Sequence, residues 1–259
     1  MKAFPRDVEV KTMKVRHIGI ESELGIKRGD AYAVDISDIE AECKKRGLLQ
    51  NVGYDGGGRE FRTNPISVRS LTQVRGHKYL MEYYEVLKKN TEVLTSGGTH
   101  IHVSILNTDH ESLESNATAM AIAFYEQFQK ISGRKTHWAY RDEQKTLDAV
   151  RQVLDRRKCK GHAGRRTYFR RGSMLSPTHH QTFEFRGPRG SNDCEEILAW
   201  VEFLGNVMKA CNRKSIEGVE FKQLLKGKRI EAYVSSLKGW RKLTKRELEQ
   251  KFDGHNLNN

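Results

Sequence analysis

Gly98-Thr99-His100-Ile101-His102-Val103-Ser104 is the stretch around which the chain is organised. Two imidazoles at i and i+2 in a β-branched segment project from the same side of a strand, because side chains alternate with period two. Ile101 and Val103 then face the other way, toward a core. The same geometry recurs in Glu21-Ser22-Glu23, Glu60-Phe61-Arg62 and Glu184-Phe185-Arg186, each within a short segment of strand-like alternation. Side by side in one sheet, these segments would line one face with four carboxylates, two imidazoles and two guanidiniums. Such a face suits metal ions and phosphate.

With 259 residues the chain is long enough to bury a real core. One domain over residues 1–212 is expected, followed by a basic helical C-terminal tail over 213–259 packed on it. Charged residues make up 31% and apolar ones 37%, which predicts a folded protein with a heavily charged surface. Lysine and arginine number 46 against 33 acidic residues, a net charge of +13, so an anionic partner is expected. Nucleotide, nucleic acid and anionic polymer all fit. The N-terminus lacks the apolar stretch of a signal peptide, and no segment approaches the ~18 apolar residues of a membrane span. A cytoplasmic protein with no membrane partner is the expectation. Cys43, Cys159, Cys194 and Cys211 form no C-x-x-C pair, which points to reduced thiols rather than a zinc ribbon.

Along the chain, residues 14–26 read as a first strand. Asp35 to Arg46 reads as a short helix with Ser37 or Asp38 at its start and Gly47 just past its end. Tyr54-Asp55-Gly56-Gly57-Gly58 is a turn feeding Arg59-Glu60-Phe61-Arg62; its glycines suit a hairpin as well as a close approach to a ligand. The rhythm of Leu71, Val74, Leu80, Tyr84, Leu87 and Val93 predicts one long or two shorter helices across 66–94, and a further helix is expected over 111–132. Arg134 to Arg171 is strongly basic and contains Gly161 and Gly164, so part of it is expected to be a mobile loop. His179 to Arg186 reads as a strand, and Asn192 or Asp193 then caps an amphipathic helix through Met208.

The ordered set Gly19-x-Glu21-x-Glu23, Asp35-x-Ser37, Gly58-x-Glu60-Phe61, Gly98-x-His100-x-His102-Val103 and Glu184-Phe185-Arg186 with its following helix resembles the amidoligase family. That family is a branch of the glutamine synthetase / γ-glutamyl-cysteine ligase superfamily of carboxylate–amine ligases. The resemblance runs over roughly residues 15–210. It implies an α+β fold, a glutamine synthetase-like catalytic domain with a curved, largely antiparallel sheet, an active-site face and helices packed on the other. It implies metal binding by Glu21, Glu23, Glu60, His100 and Glu184, with the two carboxylates of Glu-x-Glu serving different ions. His102 would lie against the nucleotide phosphates, and Arg186 would hold the reacting groups. No N-terminal domain like that of glutamine synthetase is expected, so neither that enzyme's oligomeric architecture nor its ammonia pocket is carried over.

The chemistry fits these residue types. Joining a carboxylate to an amine in water is uphill, so the acid is first activated as an acyl phosphate with ATP, and phosphoryl transfer asks mainly for positioning and charge neutralisation. A carboxylate-rich set with one or two histidines suits Mg²⁺ or Mn²⁺, and two ions can bridge the phosphates. Arg186 and Arg62 offer planar forks for phosphate or carboxylate from the same face. The basic stretch around Lys158 to Arg166, with Arg165 and Arg166, is a candidate to close over ATP and exclude water. The acid and amine are left open among amino acid, peptide, cell-wall fragment and protein side chain. Two alternatives stand beside this reading. A metal-dependent hydrolase would use the His-x-His pair on a water-activating ion, although no H-E-x-x-H is present. A non-catalytic nucleic-acid-binding protein would use the net charge and the basic segments.

Overall fold

Val15–Ile26 forms one 12-residue strand, β1, on which the rest of the sheet is assembled. In the computed structural model the described residues are 15–27, 35–45, 47–55, 58–71, 74–105, 110–132, 175–177, 182–213 and 216–237. The elements that follow are α1 (Ile36–Lys45), β2 (Leu49–Asp55), β3 (Gly58–Thr63), β4 (Ile66–Ser67), α2 (Val68–Leu71), α3 (Val74–Asn90) and β5 (Thr91–Val93). Then come β6 (Thr99–Ile105), α4 (His110–Ala123), α5 (Tyr125–Ser132), β7 (Leu175–Pro177), β8 (Thr182–Phe185), α6 (Cys194–Cys211), α7 (Phe221–Leu224) and α8 (Lys228–Ser236). The class is α+β.

The strand order is β2-β3-β1-β6-β8-β7, with β4 and β5 also paired to β1. Every described pairing is antiparallel. Period two divides the sheet into a charged face and an apolar one. On the apolar face Ile18, Ile20, Leu24, Phe61, Ile101, Val103, Phe183 and Phe185 are buried. Helices cover that face: Tyr84 of α3 reaches the Ser22 hydroxyl at 3.1 Å, and Phe185 packs on Trp200 and Phe203 of α6 at 5.7 and 6.1 Å between ring centroids. Phe128 of α5 meets both Phe185 and Phe203 edge-on, and Phe221 of α7 closes the same aromatic cluster. The aromatic cluster therefore fixes the layer behind β8, the strand that carries Glu184.

Local sequence explains most boundaries, with several corrections. Asp193 caps α6, accepting from the Glu195 and Glu196 amides at 2.9 and 3.3 Å. At α1 the cap is Asp35, whose Oδ1 takes the Ser37 amide at 2.8 Å, two or three residues earlier than the candidates read from sequence. The helical reading of 66–94 holds only for α2 and α3: Ile66–Ser67 and Thr91–Val93 are strands paired with β1. Thr91 is buried with its hydroxyl bonded to the Leu87 carbonyl at 2.6 Å, which ends α3 and turns the chain into β5. The helix expected over 111–132 divides into α4 and α5 around Phe124. The described part of the expected tail, α7 and α8, packs on α6. Glu202 Oε2 accepts from the Arg229 and Ile230 amides, both at 2.9 Å, capping α8, while Asn206 donates to the Leu224 and Lys226 carbonyls. The basic stretch 134–171, with Arg165 and Arg166, and the tail beyond 237 lie outside the described residues. No helix among the described residues is long and apolar enough to cross a membrane.

Candidate metal centre

Register decides whether four period-two segments make one site. Across β3, β1 and β6, Arg62, Glu21 and His100 are direct partners in a row; Glu60 faces Glu23 in the next row; His102 faces Glu184 across β6 and β8. Directly paired residues share a face, so all of these side chains project from the charged side of the sheet. Arg186 follows β8 by one residue, with its Nε 2.7 Å from Glu184 Oε1.

Glu21 sits at the centre. Its Oε2 lies 3.4 Å from His100 Nδ1, and its Oε1 lies 3.4 Å from His102 Nε2 and 3.8 Å from Arg62 Nε. Glu184 Oε1 is 3.6 Å from His100 Nδ1 and 3.9 Å from His102 Nε2. Arg62 pairs with Glu60 and reaches Asn51 Oδ1 at 3.4 Å. Its guanidinium lies over Gly53, where a Cβ would come within 2.9 Å of it, so the glycine leaves room for the arginine.

Two overlapping groups of ligand atoms result. Glu21, Glu60 and His100 bring one atom each to within 4.8 Å of one another, and so do Glu21, His102 and Glu184. Glu21 belongs to both. The donor set fits divalent cations. Carboxylate oxygens dominate, and His102 Nε2 is buried among carboxylate oxygens without a hydrogen-bond partner. Four carboxylates face two guanidiniums, so with neutral imidazoles the cluster keeps negative charge that cations would balance. Titration reflects the same crowding. Burial works against the Glu21 carboxylate, but the His100 and His102 imidazoles beside it outweigh that and hold the group well below the usual carboxylate range. Burial, followed by the charge of Glu21, pushes Glu60 up to about 7.

Glu23 stands apart. It lies outside both three-residue groups; its Oε2 accepts the Gly98 amide and its Oε1 is 3.3 Å from His100 Nε2. Beneath it is a tight backbone junction. The Glu23 amide bonds the Gly98 carbonyl at 2.9 Å, the Gly190 amide bonds the Gly97 carbonyl at 2.8 Å, and the Thr99 amide bonds the Pro188 carbonyl at 3.1 Å. The loop after Arg186 is held further by Glu196, which takes the Arg189 guanidinium at 3.0 and 3.1 Å and the Ser191 hydroxyl at 2.9 Å.

The structure thus brings together Glu21, Glu23, Glu60, Arg62, His100, His102, Glu184 and Arg186. His102, expected against nucleotide phosphates, offers an atom to one of the two ligand groups. Sequence reasoning missed Asn51 beside Arg62 and Thr182, whose hydroxyl is 3.5 Å from His102 Nδ1. Thr182 carried a legible signal, since Thr182, Glu184 and Arg186 keep the same period-two spacing.

Comparison with known protein families and with characterised proteins found no match. Among solved structures the chain is similar to the crystal structure of the complex between the prokaryotic ubiquitin-like protein Pup and its ligase PafA, at 12% identity and a TM-score of 0.33. The similarity covers 78% of this chain and 48% of the other, so the chain spans about half the length of that protein. Likeness at this level identifies neither a family nor an activity.

Proposed function

We propose that the protein is an ATP-dependent carboxylate–amine ligase that works with two divalent cations, Mg²⁺ or Mn²⁺, on the charged face of a glutamine synthetase-like sheet. The observation that carries the reading is the pair of ligand groups sharing Glu21, flanked by Arg62 on one side and Arg186 on the other. A hydrolase needs an activated water; a ligase that proceeds through an acyl phosphate also needs anion-binding groups around its cations, and the two guanidiniums would supply them. The ordered motifs that resemble the amidoligase family support the same assignment.

In this reading Glu21, Glu60 and His100 hold one cation and Glu21, His102 and Glu184 the other. The cations would neutralise phosphate charge and orient the transferring group. Arg186 grips the transferring phosphoryl group or the acid that receives it, and Arg62 binds the second anionic group across the sheet. The substrates are a carboxylic acid and an amine.

Calorimetric titration of a non-hydrolysable ATP analogue with Mg²⁺ tests this. Binding is expected to require Mg²⁺ and to be lost in Glu184→Gln and His100→Ala chains that retain the wild-type circular dichroism spectrum. Absence of binding to the wild type would overturn the ligase reading. Zinc-dependent turnover without nucleotide consumption would favour the hydrolase. Salt-steep nucleic-acid binding unchanged by Glu21→Gln would favour the non-catalytic alternative.

A further inference from the structure

At one end of the sheet order stands β2, and among the described residues no strand pairs with its outer edge. In an antiparallel ladder every second amide and carbonyl turns away from the partner strand, so such an edge presents a row of hydrogen-bonding groups. Edge strands are ordinarily blunted by charge, proline or bulges. From Leu49 to Tyr54, β2 carries neither charge nor proline, and its one irregularity lies at its start, between Leu49 and Asn51. Residues 51 to 55 pair regularly with β3. Gln50, Asn51 and Tyr54 are exposed, and Tyr54, at 72%, is the most exposed large hydrophobic side chain among the described residues.

Both arginines of β3 lean outward across this strand. Arg62 shares the charged face with Asn51, and its guanidinium fills the space over Gly53, which has no side chain of its own. Arg59 is the direct partner of Tyr54 on the opposite face, with its guanidinium carbon 5.4 Å from the centre of the Tyr54 ring. Arg62 is also engaged by Glu60 and Asn51, which makes Arg59 the stronger anion-binding group at this edge. A further strand would run about 4.8 Å beyond β2, with its side chains alternating between the two faces. Those on the Tyr54 side would meet an exposed ring and a guanidinium, and those on the charged side would meet the low surface of Gly53.

We infer that the open edge of β2 is a docking site for an extended acidic segment of a polypeptide partner, which adds as an outer strand with carboxylates on the Arg59 side and small polar side chains over Gly53. Main-chain hydrogen bonds supply the affinity of such an added strand, and alternate side chains its selectivity. Here Arg59 selects carboxylates, and the Tyr54 ring packs on their stems across the strand pair. The edge is continuous with the charged face, because Arg62 reaches over Gly53 from the neighbouring strand. On the ligase reading above, a polypeptide is therefore the substrate class. That last step rests on the ligase reading, whereas docking itself requires neither nucleotide nor cation.

The test is amide chemical-shift mapping and hydrogen exchange on the nitrogen-15-labelled full chain, titrated with a blocked heptapeptide of alternating glutamate and threonine. The peptide is expected to shift the amides of β2 and to protect the Val52 and Tyr54 amides from exchange. A version methylated at its backbone nitrogens keeps the charge and loses the donors, and should bind about tenfold more weakly. A lysine–threonine peptide should not bind. Arg59→Gln should abolish the preference for glutamate over lysine, and Tyr54→Ala, which removes an exposed ring without disturbing the fold, should weaken binding about threefold. Shifts that avoid β2, equal binding of the methylated peptide, or equal binding of the lysine peptide would each overturn the inference. So would a dimer in light scattering whose β2 amides are protected before any peptide is added, since a second copy would then hold the edge. Titration of the ATP analogue with Mg²⁺ on the same protein separates the two readings. Nucleotide bound without peptide overturns the docking edge alone, and peptide bound without nucleotide overturns the ligase reading alone.

Discussion

Replacing Gly97 with alanine tests whether the backbone junction beneath Glu23 holds the site. An ideal Cβ at this position lies 2.6 Å from the Glu23 carbonyl oxygen, with Leu94 Cβ and the Leu94 carbonyl at 3.4 Å. Cβ contacts shorter than 3.0 Å are essentially never tolerated, so one of the two backbones must move by at least about 0.4 Å and up to about 0.8 Å to reach ordinary contact. The obstacle is main chain, and it cannot rotate away. Overpacking of this kind costs about 1–3 kcal/mol. At about 2–4 °C per kcal/mol for a chain of this size, the melting temperature should fall by several degrees. A displacement approaching 1 Å at catalytic groups costs roughly a hundredfold in rate, so cation affinity and any ligase turnover should fall more than the stability change alone explains. Gly19→Ala is the control, because a Cβ there meets only His102 Cβ, at 3.6 Å. Differential scanning fluorimetry and Mn²⁺ titration of the two variants make the assay. A Gly97→Ala protein with wild-type melting and wild-type Mn²⁺ affinity would show that the junction does not hold the site.

Further outcomes follow from the same geometry. Phe203→Ala removes a fully buried ring that touches Phe128, Phe185, Trp200 and Phe221, and should destabilise the fold by about 3–5 kcal/mol in urea denaturation. Glu60 is pushed up to about 7, so it keeps its proton in the fold at pH values where the unfolded chain has lost it. Its stabilising contribution is complete below the ordinary carboxyl pKa of 4.5 and is lost as the pH rises through about 7. With chelator present, thermal stability should therefore decline from pH 5 to pH 8, and Glu60→Gln should flatten that slope; an unchanged slope would contradict the assignment. Cys194 and Cys211 are buried thiols pushed up to about 12, so peptide mapping should find them unalkylated at pH 8 in the native protein and labelled after denaturation.

The chemistry of the site was legible in the sequence because period two is a local property. Glu21-x-Glu23, Glu60-x-Arg62, His100-x-His102 and Glu184-x-Arg186 each announce a shared face without reference to the rest of the chain. What is not local is their order and register. Nothing within Glu60-Phe61-Arg62 says that Arg62, rather than Glu60, will lie opposite Glu21, yet that pairing sets which carboxylates converge. The two short strands around α3 were hidden for a related reason. Ile66 and Val93 continue the apolar rhythm of a helix, and only pairing with β1 overrides it. The different surroundings of Glu21 and Glu23 were likewise invisible, because they depend on the amide of Gly98, the residue before β6.

The most direct test of the central claim is an equilibrium count of Mn²⁺ bound to the wild type and to Glu21→Gln, read from the free-ion electron paramagnetic resonance signal. The two ligand groups share Glu21, so two ions per wild-type chain and loss of tight binding at both positions in the variant are expected. A wild type that binds none, or a variant that still binds two with unchanged affinity, would contradict it.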